Sequence, residues 1–230
     1  NFLISYEDAR FINENEMSVC CCKRDKIDLT KIVNVEYKKY NLITKEFTHF
    51  KTQNAHFEKH WQFYNDKIIY HVNPYTIMDN NENVIFKKQI NWKPWIEKYG
   101  HPGLSTNVFD INNKKCILFH SYKNINGVYL KYYCGLLLVD NELNPIAYTS
   151  DSLFPSFDGY DIANYLLYFN WKRSLLTSPT IVDIVFPMNV VVDDTNVLIY
   201  AGINDFICSC IKISKSVFST YLDNTTYIIA

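Results

Sequence analysis

Residues 115–133 read KCILFHSYKNINGVYLKYY: a strand-like run from Lys115 to Ser121, a polar turn at Asn124-Ile-Asn-Gly127, and a second such run from Val128 to Tyr133. Runs this short and this rich in β-branched and aromatic residues favour strands, and a glycine-bearing turn between them closes a hairpin. The same scheme spreads outward. Lys67–Val72 and Asn196–Tyr200 are strand-like, and turn clusters stand at Asn65-Asp66, Asp79–Asn83, Asn112-Asn113, Asp140-Asn141 and Asp193-Asp194. Sustained 3.6-residue patterns are missing. The one helix-like stretch, Asp161 to Trp171, is apolar nearly all round and reads equally as an irregular core segment. The expectation is a nearly all-β chain. Hairpin units recur at unequal intervals (Asn65–Pro74, Asn112–Tyr122, Asp193–Asp205), which fits a sandwich or a propeller without choosing between them. No linker-like stretch or composition shift divides residues 1–230, so one domain is expected.

Composition removes several classes of function. Lys and Arg number 23 against 24 Asp and Glu, a net charge of -1, so no positive field is present to hold a phosphodiester backbone. Nucleic acid is not an expected partner. Hydrophobic residues make up 48%, which argues against disorder, yet no apolar run approaches the ~20 residues that span a bilayer, so no membrane partner is expected either. The seven cysteines are odd in number and include the consecutive Cys20, Cys21 and Cys22, which suit no disulfide framework. Reduced thiols and a cytoplasmic setting are expected. Asn1 starts neither an initiator methionine nor a secretion signal, so the numbering is expected to begin inside a longer product. Cys208-Ser-Cys210 lacks a second cysteine pair, and no metal site is expected. Phosphate-loop, dinucleotide, nucleophile-elbow and zincin motifs are all absent.

Four segments carry candidate chemistry. In Tyr6-Glu-Asp-Ala-Arg10, strand alternation puts Asp8 and Arg10 on one side, where a carboxyl with a raised pKa delivers a proton to a leaving oxygen; a surface ion pair is the bland alternative. Glu58-Lys-His-Trp61 offers the mixture sugars need, an indole for the apolar ring face and charged groups for hydroxyls, and Lys59 with His60 also suits phosphate. A solvated turn followed by a core tryptophan explains it equally well. His71 ends an apolar strand before Asn73-Pro74, facing a cavity or satisfied in a turn. In Tyr200-Ala-Gly-Ile-Asn-Asp205, Gly202 permits a turn that lets Asp205 emerge at a strand mouth, or forms an ordinary hairpin.

The order of these segments is more informative than any one of them. After them come Leu118-Phe-His-Ser121, Tyr133-Cys-Gly-Leu-Leu-Leu-Val-Asp140 with Asn144-Pro145, and Val185-Phe-Pro-Met-Asn189 before the final Asp205 segment. The succession resembles glycoside hydrolase family 130, the β-mannoside phosphorylases and related β-mannosidases. That resemblance implies a five-bladed β-propeller, here lacking part of its first blade, and an oligosaccharide or glycan partner. It implies inverting phosphorolysis or hydrolysis of β-linked mannosides, with inorganic phosphate as co-substrate in the first case and no other cofactor. By the same likeness Asp8 is the proton donor and Arg10 lies beside it. Glu58, Lys59, His60 and Trp61 belong to the sugar site, Lys59 and His71 to the phosphate or reducing-side sugar, and His120 and Asp205 to the later motifs. The chain departs from the pattern at Ala9 for proline, His60 for asparagine, Ser121 and Asn189 for glycine, and Ala201 for an aromatic residue. Arginine, the usual phosphate grip, occurs only as Arg10, Arg24 and Arg173. Two alternatives follow: a noncatalytic glycan-binding or structural propeller, and a glycosyltransferase on the same scaffold.

Overall fold

The computed structural model describes residues 2–25, 32–50, 60–125, 129–153, 181–183, 185–203 and 207–227, and the Asp161–Trp171 stretch lies outside them. The polar clusters do reverse the chain. Asn65 (φ 53), Asn112 (φ 50) and Asn113 (φ 60) adopt the left-handed backbone that asparagine tolerates better than most residues, and each closes a hairpin.

The hairpins assemble into four antiparallel-based sheets. The first contains β1 (Phe2–Phe11), β2 (Glu16–Asp25), β3 (Ile32–Asn41) and β4 (Phe47–Phe50), side by side in chain order. The second repeats that order with β5 (Gln62–Tyr64), β6 (Lys67–Val72), β7 (Tyr75–Asp79) and β8 (Val84–Lys88). A short helix, α1 (Lys93–Tyr99), leads to the third. There β9 (Gly103–Leu104) and β10 (Phe109–Ile111) both pair with β11 (Lys114–Ile125), which is followed by β12 (Tyr129–Val139) and β13 (Pro145–Thr149). Two later strands join this sheet: β14 (Ile181–Asp183) runs parallel to β12, and β18 (Thr225–Tyr227) pairs with β13. The fourth sheet is β15 (Val185–Val192), β16 (Asn196–Ile203) and β17 (Ile207–Ser214), from which α2 (Lys215–Asp223) continues.

Packing decides between the two architectures left open by the sequence. Ile68 and Met78 of the second sheet pack with Cys22, Tyr37 and Phe50 of the first. Their neighbours Ile69 and Ile77 instead pack with Ile117, Phe119 and Leu137 of the third. In that third sheet, Cys116, Leu118 and Leu136 turn the other way, against Val190, Val197 and Ile199 of the fourth. The two-residue period of a strand thus sends successive side chains into two different cores. A sandwich buries one face of each sheet, whereas here the second and third sheets are buried on both. The arrangement is a β-propeller with four blades among the described residues. Arg10 Cζ lies 5.9 Å from the Phe186 ring centroid, which brings β15 of the fourth blade beside β1 of the first.

The chain is all-β as expected, apart from two short helices among the described residues. At seven and nine residues they are too short to display a sustained 3.6-residue pattern. Helix α1 exists to insert Trp95, whose ring lies 4.7 Å from that of Phe119 and whose Nε1 donates to Ser121 Oγ at 3.0 Å. Gly135 makes room for this layer, since an added Cβ would overlap the Phe119 ring. Helix α2 is capped by Ser214, which accepts from the Val217 N–H, and buries Phe218 and Leu222 at i and i+4. No helix among the described residues is long and apolar enough to cross a membrane.

Candidate functional site

The blades bring polar groups together where their first strands meet. Arg10 comes from β1, His60 and Gln62 from the entry to β5, Ser105 and Thr106 from the break between β9 and β10, His120 from β11, and Phe186 from β15. Each has a local cause. In β1 the register places Glu7 opposite Cys20 and Arg10 opposite Ser18, so Asp8 and Ala9 share Val19. The register thus shifts between Glu7 and Arg10, as at a β-bulge. His60 has φ 75, a left-handed backbone that is uncommon for a non-glycine residue. Between β9 and β10 the strand pairing lapses, and the Ser105 and Thr106 N–H groups both donate to the Leu118 carbonyl.

The resulting cluster is tightly connected. Arg10, only 2% exposed, places Nη2 3.2 Å from His60 Nδ1. The Gln62 amide, in the orientation that satisfies both of its ends, accepts from Arg10 Nη1 at 2.7 Å and donates to the Thr106 carbonyl at 3.0 Å. A guanidinium only donates, so His60 Nδ1 accepts and its ring proton belongs on Nε2. Across from it, His120 is 7% exposed, with Nδ1 2.9 Å from Ser105 Oγ and its ring centroid 4.9 Å from that of His60. Burial, reinforced by the Arg10 charge and opposed by a backbone hydrogen bond with Leu104, pushes the His120 pKa down to about 3. His120 is therefore a neutral imidazole. Gly103 allows its position, because a Cβ there would lie 2.8 Å from His120 Cε1.

A buried guanidinium beside one imidazole, with a second imidazole against the first, offers the donors and acceptors that hydroxyl groups need. Among the described residues, no group of three or more His, Cys, Asp or Glu is arranged to hold a metal ion.

Of the residues singled out in the sequence, the structure brings Arg10, His60 and His120 together. Trp61 lies in the core between the first two blades: it is 1% exposed and stacks on Tyr37 at 4.7 Å and 4°. Trp61 itself thus matches the core-tryptophan alternative. His71 is exposed on β6, opposite Thr76, with its ring 5.5 Å from that of Tyr70. Asp8 is placed by its backbone in β1. Glu58, Lys59 and Asp205 lie outside the described residues. Gln62, Ser105, Thr106 and Phe186 were not anticipated as members. Phe186 at least stood in a quoted segment, whereas Ser105 and Thr106 carry no sequence signal.

Three of the departures from the pattern have defined places in the structure. Ser121, in place of glycine, is fully buried as the acceptor for Trp95. Asn189, also in place of glycine, is not left-handed; it follows a register shift between Pro187 and itself in β15. The left-handed residue is His60, at the position where the pattern has asparagine.

Solved structures share this fold. The chain is similar to a β-1,2-mannobiose phosphorylase from Listeria innocua, solved with β-1,2-mannobiose, at 12% identity and a TM-score of 0.63, over 95% of this chain and 60% of that one. It is also similar to MPT-1, a GDP-Man-dependent mannosyltransferase from Leishmania mexicana, at 13% identity and a TM-score of 0.53, over 89% of this chain and 66% of that one. The chain thus spans less than two thirds of either protein, and the likeness is one of fold. No protein-family model matches the chain, and no curated protein matches it significantly.

Proposed function

We propose that this propeller is carbohydrate-active and acts on β-linked mannosides at the Arg10–His60–His120 cluster, with inversion, by phosphorolysis or hydrolysis. The observation that carries the reading is the convergence of those three side chains from three blades on one position. The fold likeness to two proteins that handle mannose supports the substrate class. In this reading Asp8, two positions before Arg10, protonates the glycosidic oxygen while phosphate or water attacks the opposite face of the sugar. Arg10 fixes the charge that an attacking phosphate needs, Lys59, adjacent in sequence to His60, adds to it, and His120 and His60 orient hydroxyls. Glu58, His71 and Asp205 complete the ligand surface, and a fifth blade completes the ring. Inorganic phosphate is the co-substrate of the phosphorolytic version.

A specific observation favours a second reading, a noncatalytic glycan-binding propeller. The Phe186 ring lies 4.7 Å from His120, 5.5 Å from His60 and 5.9 Å from the Arg10 guanidinium carbon, filling space among the polar groups.

The deciding experiment incubates the protein with β-1,2-mannobiose, with and without inorganic phosphate, beside Asp8→Asn. Mannose 1-phosphate in the first case or mannose alone in the second identifies the reaction, and Asp8→Asn lowers turnover at least about 100-fold. Equal turnover by the variant removes Asp8 from the acid role. Binding without any product supports the second reading.

A further inference from the structure

The β11–β12 hairpin runs beyond its lateral partners at the cluster. Strand β9 reaches only Phe119 and His120 of β11, and β13 pairs with β12 only from Leu137 to Val139. Past His120 and Cys134, the strand pairing it makes among the described residues is with β14, at Tyr129–Lys131, while the end of α1 lies along the backbone of Tyr122 and the ring of Tyr133. Strand alternation fixes what this extension displays. Cys116 and Leu118 face the fourth blade, and His120 and Tyr122 follow on that face at two-residue steps. Tyr132, directly opposite Tyr122, completes a continuous strip of rings. The His120 ring is stacked on Tyr132 at 6.1 Å and 17°, Tyr132 on Tyr122 at 5.5 Å and 24°, and Phe186 closes the inner end 4.7 Å from His120. Exposure rises along the strip from 7% at His120 to 52% at Tyr122.

A tyrosine whose one face is backed by another ring presents its other face to ligand with little side-chain freedom left to lose. Such a face covers the C–H surface of a pyranose, and the phenol reaches a hydroxyl. Because the strip starts in the polar cluster and ends at the surface, we infer that Tyr122 is the outer platform for a further sugar ring, so that the ligand is an extended β-mannoside rather than a single residue or a disaccharide. This inference rests on the reading of the cluster as a glycan site. A merely structural role for the Tyr122–Tyr132 pair, as a cross-strand contact, predicts a stability change without a change in length preference.

The test measures dissociation constants of β-1,2-mannobiose and β-1,2-mannotriose for the wild type, Tyr122→Ala, Tyr122→Trp and His120→Ala, with thermal melts to confirm folding. The wild type prefers the trisaccharide by about three- to tenfold, the worth of one aromatic contact. Tyr122→Ala brings that ratio close to one, and Tyr122→Trp restores it. A ratio unchanged in Tyr122→Ala overturns the platform while leaving the cluster reading intact. Absence of binding by both sugars to the wild type, or binding indifferent to His120→Ala, overturns the cluster reading and the platform with it.

Discussion

A proton on His120 would be buried beside the Arg10 guanidinium, which is why its pKa falls to about 3 from an ordinary 6.5. An unfolded chain takes up that proton near 6.5, so below that pH the unfolded state binds more protons than the folded one. His120 therefore makes stability fall as pH drops from about 6.5 toward 3, and adds no pH dependence above that window. Urea denaturation at pH 7 and pH 4 should show a smaller loss of stability in His120→Gln than in the wild type. An equal loss in both would mean that His120 titrates normally. At this scale the sequence exposed the residues whose chemistry is unusual. Arg10 stood out beside Asp8 in Tyr6–Arg10 and His60 in the charged and aromatic mixture Glu58–Trp61, whereas His120 was reached through the resemblance alone. Gln62, Ser105 and Thr106 were invisible for a physical reason: they join through an amide, a hydroxyl and a backbone carbonyl, whose partners are set only once three chain segments meet.

Turns are the elements that sequence reading placed best, and two of them prove equivalent. Asp79 accepts from the Asn81 and Asn83 N–H groups and from the Asn83 amide, and Asp140 does the same with Glu142 and Asn144. Each turn carries one left-handed residue, Glu82 (φ 65) and Leu143 (φ 72), and each connects the same kind of antiparallel pair, β7–β8 and β12–β13. They differ in surroundings. Leu143 is buried in the core between the second and third blades, and its carbonyl accepts from the Tyr75 hydroxyl at 2.8 Å, whereas the Asp79 turn faces solvent. Asp140→Ala leaves two turn N–H groups without their acceptor and loosens a blade contact. It should cost about 1–3 kcal/mol in chemical denaturation, with Asp79→Ala costing less. An inverse order would show that the Leu143 anchorage contributes nothing. The strands themselves were legible in composition but not in facing. Cys20, Cys21 and Cys22 are all fully buried because β2 is covered on both sides, which erases the alternation that marks a half-exposed strand. The Cys20 and Cys22 sulfurs lie 3.8 Å apart as a thiol contact.

For the whole molecule, periodicity could not separate sandwich from propeller; what separates them is the division of each strand between two cores. Ile68 next to Ile69, and Cys116 next to Ile117, belong to different clusters, and those assignments exist only in three dimensions. The ordered succession of short motifs pointed to a propeller through the resemblance it carries, and the four blades among the described residues form one. Among the described residues, the first and fourth blades meet through Arg10 and Phe186 rather than through an apolar cluster of their own. Ring and site are thus linked: the residues that complete the contact between those blades are also members of the polar cluster.

Six histidines make that linkage directly measurable. His60 and His120 belong to the cluster, while His49 and His101 are exposed elsewhere. Adding β-1,2-mannobiose to protein carrying isotope-labelled histidine and following the ring resonances by NMR should shift His60 and His120 together, saturably, and leave His49 and His101 in place. Unmoved His60 and His120 signals at a sugar concentration that binds the protein would put the ligand somewhere other than the meeting point of the blades.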